Sequence, residues 1–508
     1  MILGVPVMFL SVVIPILISL LFPLIDASKK VLTALSTLLL MIPLAVVTWL
    51  TFITGLREPV LDPIVLSNPT LGNFSMLLDA ISAPVAISIG LVTSMISVYS
   101  LRYMEHRFEE MEREGHKPAS WGVYFMLYVM FSAAMMGTVL STNLIEFYLF
   151  LEVSLLPSFL LIAFYGYGRR ERIALLYLIW THVGALAFLV GVLLLGLNAG
   201  TFDFYNPIRA TANLRLGEVL PEAMRLPVFI AILIGLFVKM AVFGVHIWLP
   251  YAHAEAPTPV SALLSPNLIG IAGYALIRIA YALFPSEFEL VAPYLLGLAL
   301  LTIIYGGLMA LAQDDFKRFL AYSSVSQMGY LLMGIASITS LGMTGALLHY
   351  AAHAVGKALL FATAGVLITQ LHGLRSIGKM GGLASKMPLT AALALIGFMH
   401  ITGVPPSLGL WSEILIVAGV ADFSMRIGHF VSVVALLLVG IGLSTAYSFI
   451  TMRRIFFGKE SEAAEHAREA GYDLLGPMIV VAAMGLVLFL LPQLLIDPMV
   501  ESLKLLLG

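Results

Sequence analysis

A chain of 508 residues with 60% hydrophobic and only 11% charged residues has too little polar surface to stand in water as a globule, and reads as a polytopic membrane protein. A formal net charge of −2 excludes nucleic acid as a partner, since no dense basic face exists to neutralise phosphates. The absence of cysteine excludes disulfides, iron–sulfur ligation and thiolate metal sites, so any electron transfer belongs to another chain.

Taken in chain order, fourteen apolar runs of roughly 17–25 residues or more are long enough to cross a bilayer. They lie near 2–24, 31–53, 77–100, 121–141, 143–166, 172–197, 226–249, 258–284, 290–312, 318–339, 341–370, 388–420, 428–452 and 474–494. The predicted fold is therefore all-α and integral to the membrane. The first run lacks a basic leader and a small-residue cleavage site, and is read as a retained helix. An even number of spans puts both termini on one side. Most Lys and Arg residues, among them Lys29, Arg102, Arg169, Arg172, Lys317, Arg318, Arg375 and Arg453, fall in the odd-to-even loops. Those loops are expected to be cytoplasmic, with both termini outside the cell membrane. Only Lys239 and Lys357 are left inside.

The first three spans, within 1–120, carry little chemistry. Spans 4–8 (121–284) and 9–13 (285–453) then form two groups of five. Each has a proline-interrupted helix in the corresponding place, the seventh at Leu249-Pro250 and the twelfth at Val404-Pro405-Pro406. Matching broken helices predict two inverted repeats around a path near the midplane. A loop, the last span and a short tail fill 454–508.

The fifth span holds Glu146 and Glu152, and an acid near the bilayer centre costs on the order of 2.5–3.5 kcal/mol unless it is paired or hydrated. Lys239 is the natural partner of Glu152. Glu146, nearer the external end, is either an entrance carboxylate or an interfacial acid facing water. His182 in the sixth span is a relay candidate or a hydrogen-bonded interior residue. His246 follows Lys239 by seven residues and is expected on the same helical face, as relay or cap. His253 and Glu255 lie in the turn beyond the break, where they either gather protons or cap the eighth helix. Ser265 and Asn267, beside Pro266, are polar groups able to hold water.

In the eleventh span His349, His353 and Lys357 recur at four-residue steps and make a polar stripe on an apolar helix. Two histidines at this spacing also suit a metal, but without a carboxylate on the stripe a proton wire fits better. His400 and Glu413 flank the break in the twelfth span. No nucleotide or redox-cofactor motif is present, so no cofactor and no metal are expected in this chain.

The run from Lys239 to Ser261, KMAVFGVHIWLPYAHAEAPTPVS, resembles the signature of the antiporter-like subunits shared by respiratory complex I, multisubunit sodium/proton antiporters and membrane-bound hydrogenases. Phe150-Leu151-Glu152-Val153 followed by Pro157, the turn Gln313–Arg318 followed by AYSSVSQ, and the stripe His349, His353, Lys357 are similar to further motifs of this family, over residues 120–420. The resemblance implies a proton- or sodium-translocating subunit of a larger membrane complex, with other membrane subunits, further antiporter-like subunits and a redox module as partners in the lipid bilayer. It implies an axis through Glu152, Lys239, a hydrated gap near Asn267 and Gly270, His353, Lys357 and Glu413. A subunit of a sodium/proton antiporter without redox chemistry and a structural scaffold are the alternatives. The eighth helix departs from the pattern, because Gly270 stands where relatives carry a base. Gly270→Lys is accordingly expected to be tolerated.

Overall fold

The computed structural model describes residues 4–209 and 211–507, so Ile2 and Leu3, at the start of the first predicted span, lie outside the described residues. The helices are α1 (Val7–Ser19), α2 (Lys29–Thr54), α3 (Ala83–Arg113), α4 (Trp121–Leu140), α5 (Leu144–Tyr165), α6 (Arg170–Ala199), α7 (Glu222–Met240), α8 (Trp248–Glu255), α9 (Thr258–Leu263) and α10 (Ile269–Ala275). They continue with α11 (Pro285–Leu311), α12 (Phe316–Ala336), α13 (Ser340–Gln370), α14 (Pro388–Thr402), α15 (Leu408–Arg426), α16 (Phe430–Phe456), α17 (Glu462–Glu465), α18 (Tyr472–Leu490) and α19 (Gln493–Leu507). Side chains of Ser28, Ser120, Asn143, Asp315 and Thr339 cap α2, α4, α5, α12 and α13 by accepting from first-turn amides, which satisfies donors that lipid cannot.

Among the described residues, thirteen helical stretches are long and apolar enough to cross a membrane, and the protein is a helical, multi-pass membrane protein. The 21-residue α12 is long enough but more polar, because Ser323, Ser324, Ser326 and Gln327 occupy it. Strands are confined to short antiparallel pairs in the loops, such as Val60–Leu61 with Leu77–Leu78. The centre of the fold is α13, with α9 and α10 against it: the apolar windows of both stretches are entirely buried, and α13 packs on α3, α9, α12, α14, α15, α18 and α19.

The first helix break differs from the sequence expectation. Pro250 lies in the first turn of α8, where a missing N–H leaves no hydrogen bond unmade. The helix ends instead at Ala241, whose φ of 57° is left-handed. Residues 241–247, including Gly244 at φ 92°, carry the chain across to α8. Their backbone is satisfied by side chains: Trp248 Nε1 donates to the Val238 carbonyl (2.9 Å), Trp180 Nε1 to that of Val245 (2.8 Å), and Thr302 Oγ1 accepts from Phe243 N (3.3 Å). The second break lies where the prolines placed it, with Gly403 left-handed at φ 64° between α14 and α15. The run from Thr258 to Tyr281 is continuous but underwound at Leu264–Leu268 and Leu276–Tyr281, both π-helical. Pro266 sits in the first of these, which accommodates its missing donor.

Three buried cations correct the expectation that only two lie inside. Arg107, 1% exposed, donates to the carbonyls of Tyr165 and Gly166 at the end of α5. Lys317 is fully buried and donates to the carbonyl of Ala256 at the end of α8. Both supply what a helix C-terminus lacks. On the other side Arg278 makes a bidentate pair with Asp79 (2.5 and 2.6 Å). Burial pushes the Asp79 carboxyl upward, and the guanidinium more than reverses this, holding it below the usual carboxylate range.

Two outcomes are expected. Arg278→Gln leaves Asp79 buried without its counter-charge and destabilises the protein by about 3–5 kcal/mol, to be read from thermal melting, with Asp79→Asn added to recover part of the loss. At Gly270 a Cβ would sit on the ring of Tyr350, so Gly270→Lys is not tolerated as the family pattern suggests. Overpacking of this kind costs about 1–3 kcal/mol or more, and melting of Gly270→Ala, with Tyr350→Ala as the relieving second change, measures it.

Candidate functional site

Lys239 occupies the last turn of α7 and is 6% exposed. A cation in the last turn of a helix is favoured by the helix dipole. Glycines make this seat close-packed: a Cβ at Gly184 would strike Val238, and one at Gly235 would strike Phe188 and the Gly184 carbonyl, so α6 and α7 approach within backbone contact beside the lysine. Glu152 does not contact Lys239. It lies 3.0 Å from His182 Nδ1, and no lysine nitrogen is within ion-pair distance among the described residues. Glu152 is nevertheless the carboxylate whose charge acts on Lys239. Glu152 therefore lies within electrostatic reach of Lys239, with His182 as its contact partner.

His182 is not an interior residue, since its side chain is 45% exposed on α6. Glu146 does not face water. It is 1% exposed and stands in the first turn of α5, where its Oε2 accepts from Thr142 N (3.2 Å) while Asn143 Oδ1 accepts from the amides of Ile145 and Glu146. This is a helix-start arrangement that engages Oε2 as a cap and leaves Oε1 buried without a partner. His246 does not share a helical face with Lys239, because α7 ends at Met240 and His246 lies in the irregular segment of the break. Its ring packs between Phe243 and Tyr305, at 5.9 and 5.0 Å between centroids.

The second cluster is built on α13. His349, His353 and Lys357 are all fully buried. His349 Nδ1 is 3.1 Å from Ser412 Oγ on α15. Lys357 Nζ donates to the Leu320 carbonyl (3.0 Å) and to the Ser323 hydroxyl. Neither nitrogen of His353 has a hydrogen-bond partner. Facing them is the polar run of α12, in which Ser324 Oγ meets Ser265 Oγ at 2.7 Å and Gln327 Nε2 donates to Tyr447 OH at 3.1 Å. At the second break Glu413, 7% exposed, lays its carboxylate on Gly403, where any Cβ would collide with it. Its charge reaches Tyr330 and Tyr447. His400 is buried, with Nδ1 2.9 Å from its own helix's Ile396 carbonyl.

Between the two clusters, the space expected at Gly270 is filled by Tyr350, whose hydroxyl donates to the Asn267 carbonyl (3.1 Å). The Asn267 amide is fully buried with both ends unpartnered. Sequence reasoning left His253 in a cytoplasmic turn, and the fold buries it completely. Its ring stacks on Phe361 at 5.0 Å, both its nitrogens are unpartnered, and it lies within electrostatic reach of Lys317, Lys357 and His353. A signal was present, since a histidine between Ala252 and Ala254 has no polar neighbour to hold it at a surface. The AYSSVSQ run of α12 was likewise visible, but only packing shows that it faces the stripe on α13.

The arrangement is a row of Lys, His and Glu at membrane depth whose close partners are mostly carbonyls, hydroxyls and one another. Such groups are costly in lipid and mark ion paths. Residues 141–439 match the family described as NADH:quinone oxidoreductase/Mrp antiporter, TM, and residues 71–113 match the one described as NADH-Ubiquinone oxidoreductase (complex I), chain 5 N-terminus. The NAD(P)H-quinone oxidoreductase chain 4-2 of Synechocystis sp. is 35% identical over 389 residues, which are 76% of this chain and 66% of that protein. A chain of respiratory complex I from Thermus thermophilus superposes with a TM-score of 0.82 at 26% identity, covering 99% of this chain and 100% of that one. A chain of the Mrp complex from Dietzia sp. superposes with a TM-score of 0.85 at 20% identity, with both chains fully covered, a likeness of fold. On the length of the family match and the identity to its members, the chain belongs to the NADH:quinone oxidoreductase/Mrp antiporter family of membrane subunits.

Proposed function

We propose that the chain carries protons across the cell membrane as an antiporter-like subunit of a multisubunit respiratory or hydrogenase-type complex, driven by redox chemistry in partner subunits. The observation that carries this reading is the buried row itself: Lys239 at one helix break, His353 and Lys357 at the centre of α13, and Glu413 at the other break. Titratable nitrogen and carboxyl groups, with hydroxyls between them, suit protons better than sodium ions, which need several hard oxygen ligands at once.

The proposed axis runs from Glu152 to Lys239, then to His253, then to Lys357 and His353, and on to Glu413. The link between the halves is His253 in place of the packed segment at Gly270, because it reaches the charges of Lys317, Lys357 and His353. A change of protonation at Glu152 alters the field at Lys239 without breaking a contact, and a proton released there shifts the balance of the next base. The two matched breaks support inverted repeats over 121–284 and 285–453, flanked by 1–120 and 454–508. Support for one cytoplasmic face comes from four loops that meet: Tyr167 N donates to Glu255 O (2.8 Å), Phe316 N to Arg375 O (2.9 Å), and Arg375 pairs with Asp315 (2.7 Å). With these loops inside the cell, both termini lie outside.

Two measurements on the purified complex in proteoliposomes test this. Glu152→Gln and Lys239→Met retain assembly and lower proton pumping by about 10²-fold, the scale of a lost proton-transfer group; normal pumping in both variants sinks the first half of the axis. His253→Phe keeps the stack on Phe361 and removes only the titratable nitrogens, so it is expected to lower pumping as strongly as Lys357→Ala. His182→Ala acts only through Glu152 and is expected to lower pumping less than Glu152→Gln or Lys357→Ala. Unchanged pumping in His253→Phe would falsify the route through α8.

A further inference from the structure

On the side where the arginine-bearing loops converge, the N-terminus of α6, the helix α8 and the start of α12 enclose a cavity of about 860 Å³. Four guanidinium groups line it: Arg169 and Arg172 at the start of α6, Arg318 of α12, and Arg375 from the loop after α13. Against them stand two carboxylates, Asp315 and Glu255. Asp315 is already engaged, pairing with Arg375 and capping the amide of Arg318 (2.9 Å). The lining therefore keeps two net positive charges. The Nε donors of Arg318 and Arg375 are buried and have no acceptor, and α6 begins without a side-chain cap on its free amides. Unmet buried donors, an uncapped helix start and a positive balance together describe a seat for an anion.

The rest of the wall is not what a free inorganic anion needs. Ile173, Leu176, Ile247 and Tyr251 complete the cavity. Beyond it, Leu175, Ile179, Leu186 and Val190 continue along α6 as a helically spaced aliphatic stripe open on the surface, with Ile247 and Tyr251 exposed beside them. A ligand that satisfies both halves carries a phosphate at one end and hydrocarbon at the other. Basic pockets at this level of a membrane protein suit acidic lipid headgroups.

We infer that this cavity binds the phosphodiester headgroup of an anionic membrane lipid, held by Arg169, Arg172, Arg318 and Arg375, with its acyl chains along the exposed stripe of α6. This site lies outside the proton axis proposed above, and does not depend on it.

The test uses the purified complex in nanodiscs of phosphatidylcholine alone or of phosphatidylcholine with phosphatidylglycerol, followed by detergent washing and native mass spectrometry of the retained lipid. Phosphatidylglycerol is expected to be retained over phosphatidylcholine, and the double change Arg169→Gln, Arg172→Gln is expected to lower that retention by at least about tenfold. Arg453→Gln with Arg454→Gln, at the end of α16, serves as the charge-matched control and leaves retention unchanged, while Arg169→Lys with Arg172→Lys retains most of it. An unaltered melting temperature of the Gln variant in pure phosphatidylcholine shows that it folds. Equal retention in the Gln variant, equal retention of both lipids, or displacement of the lipid by millimolar inorganic phosphate overturns the proposal, the last outcome assigning the cavity to a free anion.

Discussion

An ammonium group at membrane depth persists only where fixed dipoles replace the water it has lost, and Lys317 and Lys357 are both held in this way. Lys357 lies against a carbonyl and a hydroxyl of α12 and Lys317 against the carbonyl that closes α8, while Lys239 occupies the last turn of α7. An acid in contact would fix the charge as a static pair, whereas carbonyls and hydroxyls stabilise the cation without a counter-charge. The two breaks place one ionisable group each, Lys239 in the last turn of α7 and Glu413 on the chain at Gly403.

Breaks at that depth have to be satisfied by protein, and the details show how. Two tryptophan indoles and a threonine hydroxyl close the first break. At the second, Gly403 leaves room for the Glu413 carboxylate to lie on the chain. The underwound π-helical turns of the Thr258–Tyr281 run do related work, seating Pro266 without disrupting it. Paired charges are used differently. The Asp79–Arg278 pair at one end and the Arg107 contacts at the other hold loops to helices, outside the row of titratable groups.

Much of this was legible in the sequence. Apolar runs of spanning length, the buried lysines at 239 and 357, the stripe of His349, His353 and Lys357, and the break near Glu413 are all local patterns, and each is set by one segment's period or by one proline or glycine. The motif around Lys239 likewise announced the family before any coordinate. Other features were out of reach because they depend on which segment packs against which. Glu152 meets His182 across two helices; Tyr350 from α13 fills the space over Gly270; His253 is sealed by Phe361, more than a hundred positions away in sequence.

The sequence by itself determined that the chain is a helical membrane protein, that Lys239 and Lys357 lie inside it, and to which family it belongs, because hydropathy, periodicity and motif are properties of contiguous residues. The tertiary structure alone decided the partners of those charges. It moved the first break from Pro250 to Ala241, since a proline in a helix's first turn breaks nothing. It also turned Lys317 and Arg107 from loop cations into buried caps, because the carbonyls that receive them belong to helices whose ends meet only when the bundle closes.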